Sequence, residues 1–267
     1  MVNKMKKYAL IGGKLSHSYS PLIHNEIFKD MNVDASYELI EANDADLPNI
    51  INKLRNSEYS GFNVTIPFKK EVMKYLDIIS KEALEIGSVN TIAYEDGKIV
   101  GYNTDYYGFY NQLLYFNVDV KDKDCYILGT GGASLAICKA LYDLGGNVYY
   151  VSRAKRDDTI TYDELKDKNI DIIVNTTPVG MYPNVDESPL PSDIIAKAGA
   201  VIDIIFNPRV TKLLSLAGSN MDGLYMLVGQ AIKAEEIWQN KKYDNKIEDL
   251  LSRIEAKIWT ISEEYFK

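Results

Sequence analysis

Ser18 and Ser20 stand two residues apart in the run His17-Ser18-Tyr19-Ser20-Pro21, with Leu22, Ile23, His24 and Asn25 close behind. Both hydroxyls precede a proline, which suits the first turn of a helix. A helix N-terminus carries unpaired N–H groups and partial positive charge, so two hydroxyls placed there can hold a carboxylate without a full cation. A single serine would do no more than cap the helix. Three further clusters carry polar groups. Asn63-Val64-Thr65-Ile66-Pro67-Phe68-Lys69 ends with a hydroxyl and an amine, Gly87-Ser88-Val89-Asn90-Thr91 offers an amide, and Gly101-Tyr102-Asn103-Thr104-Asp105 ends in a carboxylate. Ligands of parallel α/β sheets lie beyond the carboxyl ends of the strands, which makes Lys69 and Asp105 candidates for one cleft. A partly desolvated lysine beside a carboxylate can relay a proton. Singly, Lys69 would read as surface charge and Asp105 as a helix N-cap.

A different chemistry is signalled at Gly129, Thr130, Gly131, Gly132 and Ala133, which follow the apolar residues 125–128 and precede a helical pattern. Glycine there permits a tight turn and lets a phosphate approach backbone N–H groups. The spacing departs from G-x-G-x-x-G, since Ser134 stands in the third glycine place; it is small enough for close helix packing. A plain strand-to-helix turn is the alternative reading. The next strand ends in Ser152-Arg153, with Lys155 and Arg156 beyond and no acidic residue at its end. Arginine pairs a 2′-phosphate bidentately where a carboxylate would repel it, so NADP(H) is favoured over NAD(H). For Lys155 and Arg156 a solvated basic loop is an equal alternative.

The elements that must position these groups alternate. Strand patterns cover residues 8–11, 37–41 and 61–66, and helix patterns 22–31, 47–54, 69–76 and 80–86. Residues 89–94 and 98–102 flank Asp96-Gly97, a strong hairpin signal. A helix over 109–116 leads to a second series: strands at 125–128, 147–151, 171–174 and 201–205, a helix from about 134 to 144, and a proline-bearing loop at 182–191. The expected class is α/β with two domains. The first, residues 1–105, has a mostly parallel sheet; the second, 106–223, is a Rossmann-type dinucleotide domain. Residues 224–267 read as two helices that pack back on the first domain.

Bulk properties restrict the function further. The 267 residues are 46% hydrophobic and carry a net charge of −8, which argues against general nucleic-acid binding. No run is long enough to span a bilayer and no N-terminal stretch resembles a signal peptide, so a cytoplasmic location is expected. With two cysteines, Cys125 and Cys138, and two histidines, neither a disulfide framework nor a metal-ligand spacing emerges. No long apolar stripe demands a partner, and a monomer or homodimer is expected.

In order and spacing these motifs resemble the shikimate dehydrogenase family over essentially the whole chain. They are HSYSP at 17–21, NVTIPFK at 63–69, GSVNT at 87–91, GYNTD at 101–105, GTGGA at 129–133, NTTPVGM at 175–181, Asn207-Pro208, and GLYMLVGQA at 223–231. The resemblance implies NADPH-dependent reduction of 3-dehydroshikimate to shikimate. It implies that Ser18 and Ser20 bind the substrate carboxylate and that Thr65, Asn90 and Gln230 bind hydroxyls or the carboxylate region. Lys69 would transfer the proton, held by Asp105, which also faces substrate. The glycine turn, Gly129 to Ala133, would cradle the pyrophosphate, Ser152 and Arg153 the adenosine phosphate side, and Thr176 within 175–181, Ile204 and Gly223 the nicotinamide. Three positions depart from the family pattern: Lys14 replaces a proline, Ser152-Arg153-Ala154 replaces Asn-Arg-Thr, and Phe206 replaces a substrate-facing tyrosine. A quinate or dual-specificity enzyme of the same fold, and a dinucleotide-binding regulator without catalysis, remain as alternatives; intact Lys69 and Asp105 argue against the second.

Overall fold

A computed structural model of the chain describes residues 5–16, 18–219 and 221–265, without the side chains of 259 and 261–265. His17 of the HSYSP motif lies outside the described residues. The chain divides into two compact units, Met1–Thr104 with Val228–Lys267, and Asp105–Leu227.

The first unit opens with β1 (Lys6–Gly12), α1 (Ser20–Met31), β2 (Ala35–Glu41), α2 (Leu47–Arg55) and β3 (Gly61–Val64). It continues with β4 (Ile78–Ile79), α3 (Lys81–Ile86), β5 (Thr91–Glu95) and β6 (Lys98–Tyr102). Among the described residues these strands form one sheet in the order β2-β1-β3-β5-β6-β4, in which β5 alone runs against the rest. The β5–β6 hairpin turns on Asp96 (φ 49°) and Gly97 (φ 79°), both left-handed, as a two-residue hairpin loop demands. Helix α2 buries Leu47, Ile50, Ile51 and Leu54, the spacing of a single apolar face, in a core with Phe62, Val64, Ile92 and Ile99.

The second unit holds most of α4 (Thr104–Tyr115), then β7 (Asp124–Leu128), α5 (Gly132–Asp143), β8 (Asn147–Ser152), β9 (Thr159–Thr161), β10 (Ile172–Asn175), α6 (Ser192–Ile195), β11 (Ala200–Asp203) and α7 (Lys212–Ala217). Its described strands are all parallel, in the order β11-β10-β7-β8-β9. The chain therefore runs outward from β7 to β9 and returns on the other side, leaving a topological switch point between β7 and β10.

Helices α8 (Leu224–Gln239) and α9 (Ile247–Tyr265) return the chain to the first unit. The Trp238 indole N–H donates to the Ile92 carbonyl at 2.9 Å. A Cβ at Gly61 would lie 2.2 Å from that indole nitrogen, so the start of β3 must be glycine for α8 to seat. Arg253 and Lys257 of α9 pair with Asp30 and Glu26 of α1 at 2.5 and 2.6 Å. Among the described residues no helix is long and apolar enough to cross a membrane.

Several elements differ from the sequence expectation. The strand expected to 66 ends at Val64, and the expected helix over 69–76 is a turn followed by a 3-10 helix, Glu71–Tyr75. Pro67 biases Ile66 away from helical backbone, and the Phe68 N–H closes a tight turn on the Thr65 carbonyl at 2.9 Å. Helix α4 starts at Thr104 rather than 109, because the Asn90 Oδ1 accepts the Thr104 N–H at 2.6 Å. That cap comes from a residue 14 positions away, which local pattern does not signal.

Candidate active site

Strand register gathers the polar groups of the first unit. β1 sets Tyr8 beside Tyr37 of β2 and Leu10 beside Asn63 of β3, while Asn63 faces Thr91 of β5. The Tyr37 O–H donates to Asn63 Oδ1 at 2.6 Å. The Asn63 amide donates to Thr91 Oγ1 at 3.0 Å and to the Asn90 carbonyl at 3.2 Å. Asn90 in turn donates to Thr104 Oγ1 at 3.1 Å, and the Thr104 hydroxyl reaches Gln230 Oε1 at 3.4 Å. Asn63, Asn90, Thr91 and Thr104 are buried, and each has the partner that a buried polar group requires.

Ser18 and Ser20 stand where α1 begins. Helix α1 begins at Ser20 with Tyr19 as its N-cap, and no side chain caps it. Pro21 sits in its first turn, as expected. Instead of capping, the Ser18 hydroxyl donates to Ser20 Oγ at 3.2 Å and accepts the Ser20 N–H at 3.3 Å. Asn90 and Gln230 thus lie along one run of neutral donors and acceptors, and Ser18 and Ser20 pair with each other. Thr65 stands just past β3, with its N–H on the Ile11 carbonyl at 2.9 Å and its methyl 2.6 Å from where a Gly12 Cβ would be. Lys69 is half-buried in the following turn, whose Lys69 carbonyl accepts the Val89 N–H at 2.8 Å.

An ionisable pair supports this run from below. His24 and Glu235 are fully buried, with Nδ1 and Oε1 2.6 Å apart, and the imidazole stacks on the Tyr37 ring at 4.1 Å and 9°. Burial first, and then the Glu235 charge, push the Tyr37 hydroxyl well above the usual phenol range. Tyr37 therefore stays protonated and remains a donor.

In the second unit the glycine turn sits at the switch point. Gly129 has φ 100°, and a Cβ there would meet Thr176 Oγ1 and Thr177 Cγ2 at 3.0 Å each. Thr176 closes the other side, with both its hydroxyl and its N–H on the Leu128 carbonyl at 2.7 and 3.0 Å. Gly131 is different: a Cβ there would meet nothing within 4 Å, so space stands open at the N-terminus of α5. Among the described residues no acidic side chain lies in the first turn of α5, and Ser134 is buried with its hydroxyl on the Gly131 carbonyl at 2.6 Å. Thr130, Gly132 and Ala133 complete the turn. Its open floor and exposed N–H groups suit a pyrophosphate.

At the end of β8, Arg153 is exposed and, among the described residues, pairs with no carboxylate, whereas Lys155 is held by Glu164 at 2.8 Å. Ile204 is half-buried after β11, and its carbonyl would lie 2.0 Å from a Gly223 Cβ, so only glycine fits at 223. Phe206 is half-buried in the same loop, and Asp105 is buried in the first turn of α4.

Sequence reasoning passed over Tyr37 and Thr104, and it quoted Asn63 without giving it a role. It also missed Asp203, fully buried at the end of β11. Asp203 accepts from Asn175 Nδ2 and the Ile205 N–H, each at 3.0 Å, and from the Thr211 hydroxyl at 2.8 Å. Burial pushes its carboxyl up to about 6 against these hydrogen bonds. An aspartate inside the apolar run 201–205 was the available signal.

Comparison with known proteins agrees with this architecture. The family model for the shikimate dehydrogenase substrate binding domain matches residues 10–92. The chain is 48% identical over 258 residues to the shikimate dehydrogenase (NADP(+)) of Clostridium beijerinckii, covering 91% of this chain and 95% of the relative. The chain belongs to the shikimate dehydrogenase family. Among solved members of the family, shikimate dehydrogenase 1 of Peptoclostridium difficile aligns with TM-score 0.84 and 43% identity over 95% of this chain and 99% of its own. The Thermus thermophilus shikimate 5-dehydrogenase, solved in complex with NADP(H) and shikimate, aligns with TM-score 0.82 and 27% identity over 94% and 100%. Two departures from the shikimate dehydrogenase pattern have local accounts. Lys14 is exposed, and the loop is anchored next to it by buried Leu15, whose N–H donates to Glu41 at 2.8 Å. The Ser152 hydroxyl closes its loop on itself, donating to the Ala154 carbonyl at 2.7 Å and accepting the Ala154 N–H at 3.2 Å.

Proposed function

We propose that the chain reversibly reduces 3-dehydroshikimate to shikimate with NADPH, the first unit with α8 and α9 binding substrate and the second binding cofactor. The observation that supports this most is the buried run of neutral hydroxyls and amides in the first unit. A polyol ring offers donors and acceptors without charge, and neutral partners match it. Ser18 and Ser20 take the carboxylate, and Thr65, Asn90 and Gln230 take hydroxyls.

The residues of the second unit fit a dinucleotide phosphate. Gly131 leaves room for the pyrophosphate, the α5 N-terminus supplies N–H groups, and Arg153, beside Ser152, has its guanidinium available for a 2′-phosphate. Thr176, Ile204 and Gly223 form the floor for the nicotinamide. When bound, the reduced nicotinamide supplies the hydride that attacks the ring carbonyl carbon. Lys69 meets the charge developing on the oxygen and gives it a proton. The enzyme acts in the cytoplasm as a monomer or homodimer.

The test follows reduced-nicotinamide absorbance with shikimate or quinate against NADP+ or NAD+. Turnover chiefly with shikimate and NADP+ is expected. Lys69→Ala should lower kcat by roughly 10²- to 10⁴-fold. Cofactor binding without turnover of either acid would overturn the enzymatic reading, and equal rates with quinate would overturn the substrate assignment.

A further inference from the structure

We propose that Gln112 is a positioning residue for the nicotinamide, fixing the peptide between Asp222 and Gly223 that backs the ring. The proposal rests on the reading of Ile204 and Gly223 as the nicotinamide floor, and every residue in it belongs to the second unit. Gly223 has no side chain to anchor it, and it lies backbone to backbone against residues 204 and 205. A Cβ at 223 would lie 2.0 Å from the Ile204 carbonyl oxygen, and the Gly223 N–H donates to the Ile205 carbonyl at 3.0 Å. The other polar group of that peptide is the Asp222 carbonyl, which accepts from the Gln112 side-chain amide at 2.8 Å. The N–H and C=O of a trans peptide point in opposite directions, so this plane is bonded on both sides, by the floor itself and by α4.

The surroundings of Gln112 suit it to that contact. It is 1% exposed, on α4 between Phe109 and Leu113, which are fully buried in a core shared with Met226 of α8. The Asp222 carbonyl can only accept, so the amide nitrogen faces it and Oε1 does not. That oxygen has no hydrogen-bond partner among the described residues. A buried, unpartnered carbonyl oxygen works against folding, and an aliphatic side chain at 112 would avoid it. What the glutamine secures is a firm hold on glycine backbone, which has the widest freedom to move. The Asp222 side chain is engaged elsewhere, its Oδ1 accepting the Leu224 N–H at 2.9 Å where α8 begins.

The variant is Gln112→Met, of similar length and without a donor, with Gln112→Leu as a second side chain that lacks one. Binding is measured without substrate for NADP+ and for adenosine 2′,5′-bisphosphate, which carries the adenine and the 2′-phosphate but no nicotinamide. The emission of bound NADPH reports how firmly the reduced ring is held. Loss of one neutral hydrogen bond behind the ring predicts a Kd for NADP+ about three- to ten-fold higher, with that for the bisphosphate within about two-fold. The emission of bound NADPH should fall toward that of the free cofactor. Equal weakening of both ligands would make Gln112 a merely structural residue and overturn the proposal, as would an NADP+ affinity or an emission that stays at the wild-type level. If wild-type enzyme binds NADPH with the emission of the free cofactor, or if Ile204→Ala changes neither emission nor NADP+ affinity, the floor reading fails and the proposal goes with it.

Discussion

Replacing Asp203 by asparagine tests how the second unit is held together. The carboxyl is fully buried, and burial lifts it from 3.8 to about 6, against three hydrogen bonds and with the Asp222 charge adding to the rise. The folded state therefore binds a proton more readily than the unfolded state. Stability from this group is fully present below about pH 3.8 and is lost as pH rises through about 6. A shift of about two units corresponds to roughly 3 kcal/mol, or about a hundred-fold in an opening equilibrium. Asparagine keeps an acceptor for the Asn175 amide and the Ile205 N–H but carries no charge to bury. The readout is hydrogen exchange of the β10 and β11 amides, compared between Asp203→Asn and wild type at each pH so that intrinsic rates cancel. From pH 4 to 7.5, the protection of the variant relative to wild type should rise by about a hundred-fold. A ratio that stays flat would refute the reasoning: it would mean that the three hydrogen bonds fully offset burial and that Asp203 titrates like an exposed carboxyl.

Three further substitutions separate shape from function. Gly129→Ala strains a backbone at φ 100° and crowds Thr176 and Thr177, so it should lower the melting temperature and weaken NADP+ binding; the strain is about 1–3 kcal/mol. Gly131→Ala meets nothing within 4 Å, so it should keep the melting temperature and still weaken NADPH binding about ten-fold or more by fluorescence titration; unaltered affinity would show that no phosphate approaches there. Phe206→Tyr restores the hydroxyl of the family pattern and should lower the KM for shikimate about two- to ten-fold with little change in kcat, and no improvement would remove residue 206 from the pocket.

What sequence made legible was whatever depends on local chemistry. Asp96-Gly97 announces a hairpin because two successive residues must be left-handed, and the apolar face of α2 announces a buried helix. The glycine turn is readable because Gly129 has neither the conformation nor the room for a side chain. What stayed hidden depends on partners brought from afar. The start of α4 is set by the amide of Asn90, and the short edge strands β4 and β9 exist only because a neighbouring strand is there to pair with. Lys69 reads as helical in a polar, periodic stretch, yet it lies in a turn dictated by Pro67. Tyr37 and Asn63 are unremarkable in their own strands; only the register across β1 makes them neighbours.

That register also fixes which way each group of the first unit points. Tyr37 is held protonated by burial and by Glu235, and its O–H donates to Asn63 Oδ1. Asn63 Oδ1 is thereby an acceptor, which turns its amide nitrogen to Thr91 and to the Asn90 carbonyl. Asn90 Oδ1 accepts the Thr104 N–H at 2.6 Å, which turns its own nitrogen to the Thr104 hydroxyl. A flipped Asn63 amide would set its oxygen against the Asn90 carbonyl, and a flipped Asn90 amide would set its nitrogen against the Thr104 N–H. No member of the run changes charge near neutral pH, so the pattern it offers a polyol is the same across the working range of an enzyme.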